Sequence, residues 1–338
     1  MLKNKNYNTI FFLWLISLTI LVASIIVVGG LTRLTDSGLS ITEWELLEGV
    51  LPPLSQQEWF QYFDSYKKIP QYQLLNIDMT LNEFKYIYFW EYAHRLLARF
   101  IGLFFLLPFL FFILINLLTS NTIFNLSRIF ILILIQGAVG WYMVKSGLID
   151  KTSVSHYRLS IHLILAFSIF SSLIWILLNL FKDKKVQFFQ ASREYISLKL
   201  ILVFIFIQII IGAFVSGLDA GKIYQTWPLM NSSYFPDDAS LKNFFNFDQA
   251  SIVQFYHRNI AYLIFFFSIY FGYEIFTKKE KKLYSSYLVY FSVIVIQIIL
   301  GISVLITGAN IYIASMHQIS SIFLVAAALK LYHCSIRS

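Results

Sequence analysis

Four of the six histidines in this 338-residue chain form a pattern. His94 and His162 stand in its first half, His257 and His317 in its second. His94 precedes Arg95 within Tyr92-Ala93-His94-Arg95, and His257 precedes Arg258 within Phe255-Tyr256-His257-Arg258. Imidazole ligates iron, and two histidines on facing helices of a bundle can hold a heme from both faces. A lone histidine in an apolar helix is more often a hydrogen-bonded core residue. Four at matched positions, two per half, favour heme ligation. Zinc would need a closed set with cysteine or carboxylate, at local spacing such as HExxH, and the sequence has none. Copper would favour Met or Cys beside the histidines. Met316 adjoins His317, but adjacent residues on a helix point apart. His156 falls in a loop or a first helical turn. His333, beside Cys334, reads as a solvated terminal residue.

Glu91 lies three residues before His94, on the same helical face. The matching position before His257 holds Gln254. A carboxylate there is either a partner of the helix dipole or a proton acceptor or charge stabiliser beside whatever the first half binds. Arg95 and Arg258 suit anionic heme propionates at the wet edge of a site. They suit interfacial snorkelling equally well.

The elements that carry these residues follow from composition. Apolar residues make up 58% of the chain and charged ones 13%, with mean hydropathy +0.69. A soluble globule is about 45–50% apolar and about 25% charged, so soluble, disordered and disulfide-rich classes are excluded. The one cysteine, Cys334, cannot form an internal disulfide. An all-α polytopic membrane protein remains. A spanning helix needs about 20 apolar residues, and eight stretches qualify: 10–29, 89–118, 123–143, 156–181, 197–217, 252–276, 283–306 and 312–333. Runs such as Ile129–Ile135 do not alternate as barrel strands would. The first stretch reads as a retained span, since Gly29-Gly30-Leu31-Thr32-Arg33 is not a small-residue cleavage site. The long connections are then 30–88, 144–155 and 218–251, the first carrying short surface helices.

With the N-terminus inside, the inner segments hold 14 basic residues: Lys3, Lys5, Arg128, Lys182, Lys184, Lys185, Arg193, Lys199, Lys278, Lys279, Lys281, Lys282, Lys330 and Arg337. They hold 4 acidic residues, against 12 basic and 14 acidic outside. This is the positive-inside pattern. The net charge of +8 therefore reports topology and is no nucleic-acid footprint. Spans 1–4 and 5–8 also repeat. His94 and His257 open spans 2 and 6, Gln136-Gly137 sits in span 3 and Gln297 with Gly301 in span 7, and His162 and His317 lie in spans 4 and 8. An even number of spans separates the copies, so two four-helix bundles are expected, residues 1–188 and 189–338, related by an axis along the membrane normal. All four histidines fall in the first one or two turns of even spans, near the outer face. On these grounds alone a di-heme b-type electron-transfer subunit, or a heme transporter or assembly scaffold, stays open. A transporter should show interrupted spans, and the only mid-span proline is Pro108.

Further strings carry a resemblance. They are Gly29–Gly38, Trp44–Pro53, Trp90–Arg95, Gly140–Leu148, Tyr157-Arg158-Leu159 with His162, Thr226-Trp227-Pro228-Leu229-Met230, Tyr256–Arg258 and Met316-His317-Gln318. In this order, over nearly the whole chain, they resemble heme A synthase. The first outer connection has no cysteine pair, which resembles the cysteine-free branch of alphaproteobacterial and mitochondrial members. The resemblance implies a bacterial inner-membrane oxidoreductase for cytochrome oxidase assembly, oxidising the C8 methyl of heme O to a formyl group by two successive hydroxylations. It implies heme b as cofactor on His257 and His317, heme O as substrate at His94 and His162, and Glu91 beside the reaction. It leaves the electron acceptor unnamed, with heme O synthase and a second copy of the chain as candidate partners.

The charge count has a direct test. A periplasm-active reporter fused at residue 240 should be active, and one within Lys278–Lys282 inactive; the reverse result would reject the orientation.

Overall fold

A computed structural model of the protein describes residues 2, 7–44, 48–180, 182 and 195–336. Of the basic residues counted on the inner side, Lys3, Lys5, Lys184, Lys185, Arg193 and Arg337 lie outside the described residues, as do 45–47 within the Trp44–Pro53 string. The described residues fold into α1 (Asn8–Leu34), α2 (Gln56–Tyr66), α3 (Pro70–Leu75), α4 (Leu81–Leu114), α5 (Ser120–Asp150), α6 (His156–Leu180), α7 (Ile196–Gly217), α8 (Ala250–Thr277), α9 (Lys281–Ile306) and α10 (Ile311–Ser335). All but α2 and α3 are long and apolar enough to cross a membrane. The chain is thus an all-α multi-pass membrane protein.

Several helix ends differ from the sequence expectation. Gly29 and Gly30 do not end α1. The helix runs to Leu34, where Asp36 takes a left-handed φ of 49°. The Ser37 N–H then bonds the Thr32 carbonyl at 2.9 Å and the Asp36 N–H the Arg33 carbonyl at 3.2 Å, closing a Schellman motif. The expected long connection 144–155 is mostly helix. α5 continues to Asp150, because Gly147 brings its backbone against Leu39: a Cβ at 147 would lie 3.0 Å from Leu39 Cδ2. α4 begins at Leu81, where Thr80 and Glu83 form a capping box. His94 is therefore nearly four turns into its helix, not in the first or second.

The chain divides into two compact units, Met1–Ile169 and Phe170–Ser338. The sequence reading put the division at 188/189; here it falls inside α6. In the first unit α1 packs on α4 and α4 on α5. In the second, α7 packs on α8, α8 on α9, α9 on α10, and α10 closes back on α7. Burial follows the sequence repeat. The buried share of each apolar window is 39, 22, 11 and 28% along α1, α4, α5 and α6, and 44, 28, 11 and 22% along α7 to α10. α5 and α9 thus hold equivalent, outward-facing places in their own units.

His333 is not solvated. Helix α10 runs past it to Ser335, and the ring is 2% exposed. It stands edge-on to Trp175 at 5.0 Å, with Nε2 3.1 Å from Asn179 Oδ1.

Residues 35–44 and 48–80 form a cap with its own core. Leu39, Ile41, Phe63, Tyr66 and Ile69 pack on Phe84, Ile87 and Tyr88 of α4. Asn76 Nδ2 donates to Tyr66 Oη at 2.8 Å, Tyr66 Oη to Gln71 Oε1 at 3.1 Å, and Gln71 Nε2 to the Asp36 carbonyl at 2.9 Å. Burial holds the Tyr66 phenol above its usual range. In the second unit, Tyr224 Oη donates to Asp237 and Asp238. Burial and these two carboxylates likewise raise its phenol.

Inside the second bundle Gly272 lets α9 approach α8. A Cβ at 272 would overlap Tyr287 Oη, which donates to the Ser268 carbonyl at 3.2 Å. Gly272→Ala must expel that hydroxyl from its place. We expect a loss of about 1–3 kcal/mol, the usual cost of overpacking, read as a lowered thermal midpoint in detergent. An unchanged midpoint would show that the contact relaxes freely.

Candidate functional site

In the first unit, His94 on α4 and His162 on α6 face each other with ring centroids 6.4 Å apart and planes at 61°. In the second, His257 on α8 and His317 on α10 stand 6.4 Å apart at 70°. Each ring lies against a glycine of the preceding long helix. An added Cβ at Gly29 would meet His94 Cε1 at 2.8 Å, at Gly140 His162 Cε1 at 3.0 Å, at Gly212 His257 Cε1 at 3.2 Å and at Gly301 His317 Cε1 at 3.0 Å. A side chain at any of the four would crowd the imidazole edge. The sequence reading brought together both pairs and missed Gly29, Gly140, Gly212 and Gly301 as their partners. The signal was there: each glycine lies on the span before its histidine.

The arrangement fits heme iron on three counts. An imidazole nitrogen lies about 1.1 Å from its ring centroid and a metal–imidazole bond is about 2.0–2.1 Å, so two rings sharing one metal have centroids roughly 6.2 Å apart. Both observed separations match this within a few tenths of an ångström. The four rings are only partly buried, yet Nδ1 of His94, His162 and His257 is sealed from solvent without a hydrogen-bond partner. The open part of those rings therefore lies away from Nδ1. Lastly, among the described residues no three His, Cys, Asp or Glu gather as a metal cage. Met316 is 55% exposed.

Glu91 is buried, 3% exposed. Its Oε2 accepts from Ser40 Oγ at 2.8 Å and the Ile41 N–H at 2.9 Å. Its Oε1 accepts from Arg95 Nη2 at 2.6 Å and Nε at 3.1 Å. Arg95 also donates to the carbonyls of Ile41 and Glu43 at 3.0 and 3.2 Å and lies over the Trp44 ring. A residue-sized gap, about 160 Å³, opens beside it between Trp44, Trp141 and Lys145.

The second unit repeats the clasp with the polarity turned round. Gln254 Nε2 donates to the carbonyls of Ala220 and Tyr224 at 2.9 and 3.2 Å. Its Oε1 accepts from Arg258 Nη2 at 3.2 Å. Arg258 is 7% exposed and donates to the carbonyls of Tyr224 and Leu229. Both arginines thus fasten the segments that precede their helices, a task sequence reasoning did not give them. In the Thr226–Met230 string, Thr226 Oγ1 donates to the Leu229 carbonyl at 2.9 Å and Trp227 Nε1 to Tyr262 Oη at 3.0 Å, tying the segment to α8. In Gly140–Leu148, Ser146 accepts from Arg158, which also lies over Tyr142. One more group was missed. The indole N–H of Trp90, one turn from His94, is buried without an acceptor, whereas its counterpart in the repeat is Val253.

Comparison with known proteins gives a consistent picture. The pattern of the COX15-CtaA family, described as cytochrome oxidase assembly protein, matches residues 12–329. The chain is 49% identical over 329 residues to the heme A synthase of Pelagibacter ubique (strain HTCC1062), covering 96% of each chain. It is 42% identical over 322 residues to that of Bradyrhizobium diazoefficiens, covering 93% of this chain and 88% of the relative. It is 48% identical over 254 residues to that of Parvibaculum lavamentivorans, covering 74% and 73%.

Every partner of Glu91 donates to it, which a carboxylate satisfies on both oxygens and a carboxamide cannot. Glu91→Gln should therefore loosen residues 39–43 as well as remove the charge. A hydrogen bond to a charged group contributes about 1.5–3 kcal/mol, so amide exchange at Ile41 should speed up by about tenfold or more. Unchanged exchange would show that the clasp does not hold the segment.

Proposed function

The chain belongs to the COX15-CtaA family of cytochrome oxidase assembly proteins, and from that premise we propose that it is a membrane oxidoreductase that converts heme O to heme A. The observation that carries this reading is the pair of histidine pairs, each spaced for one iron, with a carboxylate beside only one of them. His94 and His162 hold the substrate heme O and fix the orientation of its porphyrin. His257 and His317 hold heme b. When bound there, heme b supplies a one-electron redox centre. The two bundles divide the labour: the first binds substrate, the second holds the resident cofactor.

Glu91 is the catalytic carboxylate. Its four donor contacts lock it in place and favour an electrostatic role over proton acceptance. As the negative end of a fixed ion pair with Arg95, one helical turn from His94, the carboxylate stabilises positive charge as it develops at the porphyrin methyl carbon, and costs no reorganisation when it does so. Arg95 holds that carboxylate and borders the open gap, where an anionic propionate arm has room. Arg258 serves the corresponding edge of the heme b site. The one cysteine is Cys334, so no step passes through thiols of the first outer segment. We orient the chain in a bacterial inner membrane with both termini cytoplasmic and the heme sites toward the periplasm, as the charge distribution favours. The reaction draws on a supply of heme O, for which heme O synthase is the candidate partner, and on an electron acceptor.

The test is the heme content of purified variants. His257→Ala or His317→Ala should lose heme b, because an axial ligand is gone. His94→Ala or His162→Ala should keep heme b and yield no heme A. Loss of heme b from the first pair of variants only, with heme O or heme A extracted from the wild type, supports the assignment. Heme b alone in every extract would favour a plain electron carrier and reject it.

A further inference from the structure

We propose that Gln136, Gln208 and Gln297 are positioning residues for the heme-ligating histidines, and that the lack of a fourth, where Ile25 stands, makes His94 the ligand built to let go. The inference rests on reading the four histidines as heme ligands. It goes beyond that reading by assigning residues that never touch the iron.

A glutamine inside an apolar span is costly unless its amide is bonded. Three of the four glycine-bearing helices carry one, always four residues before the glycine: Gln136 before Gly140, Gln208 before Gly212, Gln297 before Gly301. That spacing puts amide and glycine on one helical face, a turn apart. Each amide makes the same bond. Gln136 Nε2 donates to the His162 carbonyl at 3.0 Å, Gln208 Nε2 to the His257 carbonyl at 2.9 Å and Gln297 Nε2 to the His317 carbonyl at 3.1 Å. A helical carbonyl has a second lone pair free for such a bond. The glycine thus fixes the ring edge and the glutamine fixes the backbone that bears the ring. At His317 the hold is tighter still, for Gln297 Oε1 also accepts from Ser320.

α1 keeps the glycine and lacks the amide. Ile25 stands four residues before Gly29 and cannot donate. A tie from α1 is Thr32 Oγ1, 3.3 Å from the Trp90 carbonyl, one turn before His94, and that hydroxyl also serves the Val28 carbonyl at 2.9 Å. His94 is therefore held at its ring edge only. In the second unit both ligands are held at two points, as suits a cofactor that stays. In the first, His162 is held at two and His94 at one, as suits a substrate whose iron must be bound and released each turnover.

The experiment is heme transfer from detergent-solubilised holoprotein to excess apomyoglobin, with the transferred heme identified by extraction and the low-spin electron paramagnetic resonance signal of the donor recorded. Gln208→Leu and Gln297→Leu should release heme b about threefold to tenfold faster, the factor that one net hydrogen bond contributes, and should shift or broaden its low-spin signal. Ile25→Gln should slow release of heme O or heme A by a similar factor and leave heme b release unchanged. Wild-type rates and signals in both leucine variants would overturn the positioning role, leaving the amides as self-satisfied polar groups. An unaltered rate in Ile25→Gln would overturn the exchange role of His94. The underlying assignment fails separately: it is rejected if His94→Ala binds and releases heme O or heme A as the wild type does.

Discussion

The structure depends on an imidazole edge meeting bare helical backbone. Each of the four histidines needs one nitrogen open and the rest of the ring sealed inside an apolar helix pair. Glycine on the facing helix allows this, as the 2.8–3.2 Å approaches to a hypothetical Cβ show. Glycine within a helix costs roughly 0.5–1 kcal/mol relative to alanine, so its presence at 29, 140, 212 and 301 needs a packing reason, and the ring supplies it. The pairings α1 with α4, α5 with α6, α7 with α8 and α9 with α10 follow from these contacts. The aromatic packing further along the helices, such as Trp14 against Phe105 and Phe112, then fills the space that the pairing sets.

The outer clasps explain why Glu91 and Gln254 differ. In the first unit the outer segment presents donors, the Ser40 hydroxyl and the Ile41 N–H, so the clasp residue must accept. In the second it presents the carbonyls of Ala220 and Tyr224, so the clasp residue must donate. Carboxylate and carboxamide are the local solutions to opposite problems, and each is braced by the arginine four residues on. The carboxylate is nevertheless a fixed charge beside one histidine pair only. Structural and electrostatic roles therefore coincide at Glu91, and any substitution there changes both. Exchange at Ile41 reports the first and heme product the second.

Much of this was legible in the sequence. Eight spans, the repeat and both histidine pairs follow from hydropathy and spacing, because a bilayer leaves few ways to satisfy a backbone. Helix ends were less legible. Gly29-Gly30 reads as termination and in fact marks contact with His94, while the true stop, Asp36, adopts a left-handed turn that few non-glycine residues take. The stretch 144–150 reads as the start of a loop because it mixes polar and apolar residues, yet it continues α5 against Leu39. His333 reads as terminal and solvated because its partners, Trp175 and Asn179, lie far away in sequence. The glutamine at 208 escaped notice beside the more conspicuous 136 and 297, although the four-residue spacing to glycine was present all three times.

Three departures from the repeat fall together beside one histidine. Where the second unit has Gln208, Val253 and Gln254, the first has Ile25, Trp90 and Glu91. All three lie on α1 and α4 around His94, whereas Gln136 with Gly140 matches Gln297 with Gly301 around the other ligand of each pair. These three fall beside the histidine to which the exchange role is assigned. The three changes act in the same direction. Ile25 removes a backbone tie, Trp90 leaves a buried donor without an acceptor, and Glu91 adds a fixed charge. A group that binds, reacts and leaves can use all three. Around His257, Gln208, Val253 and Gln254 stand in their places.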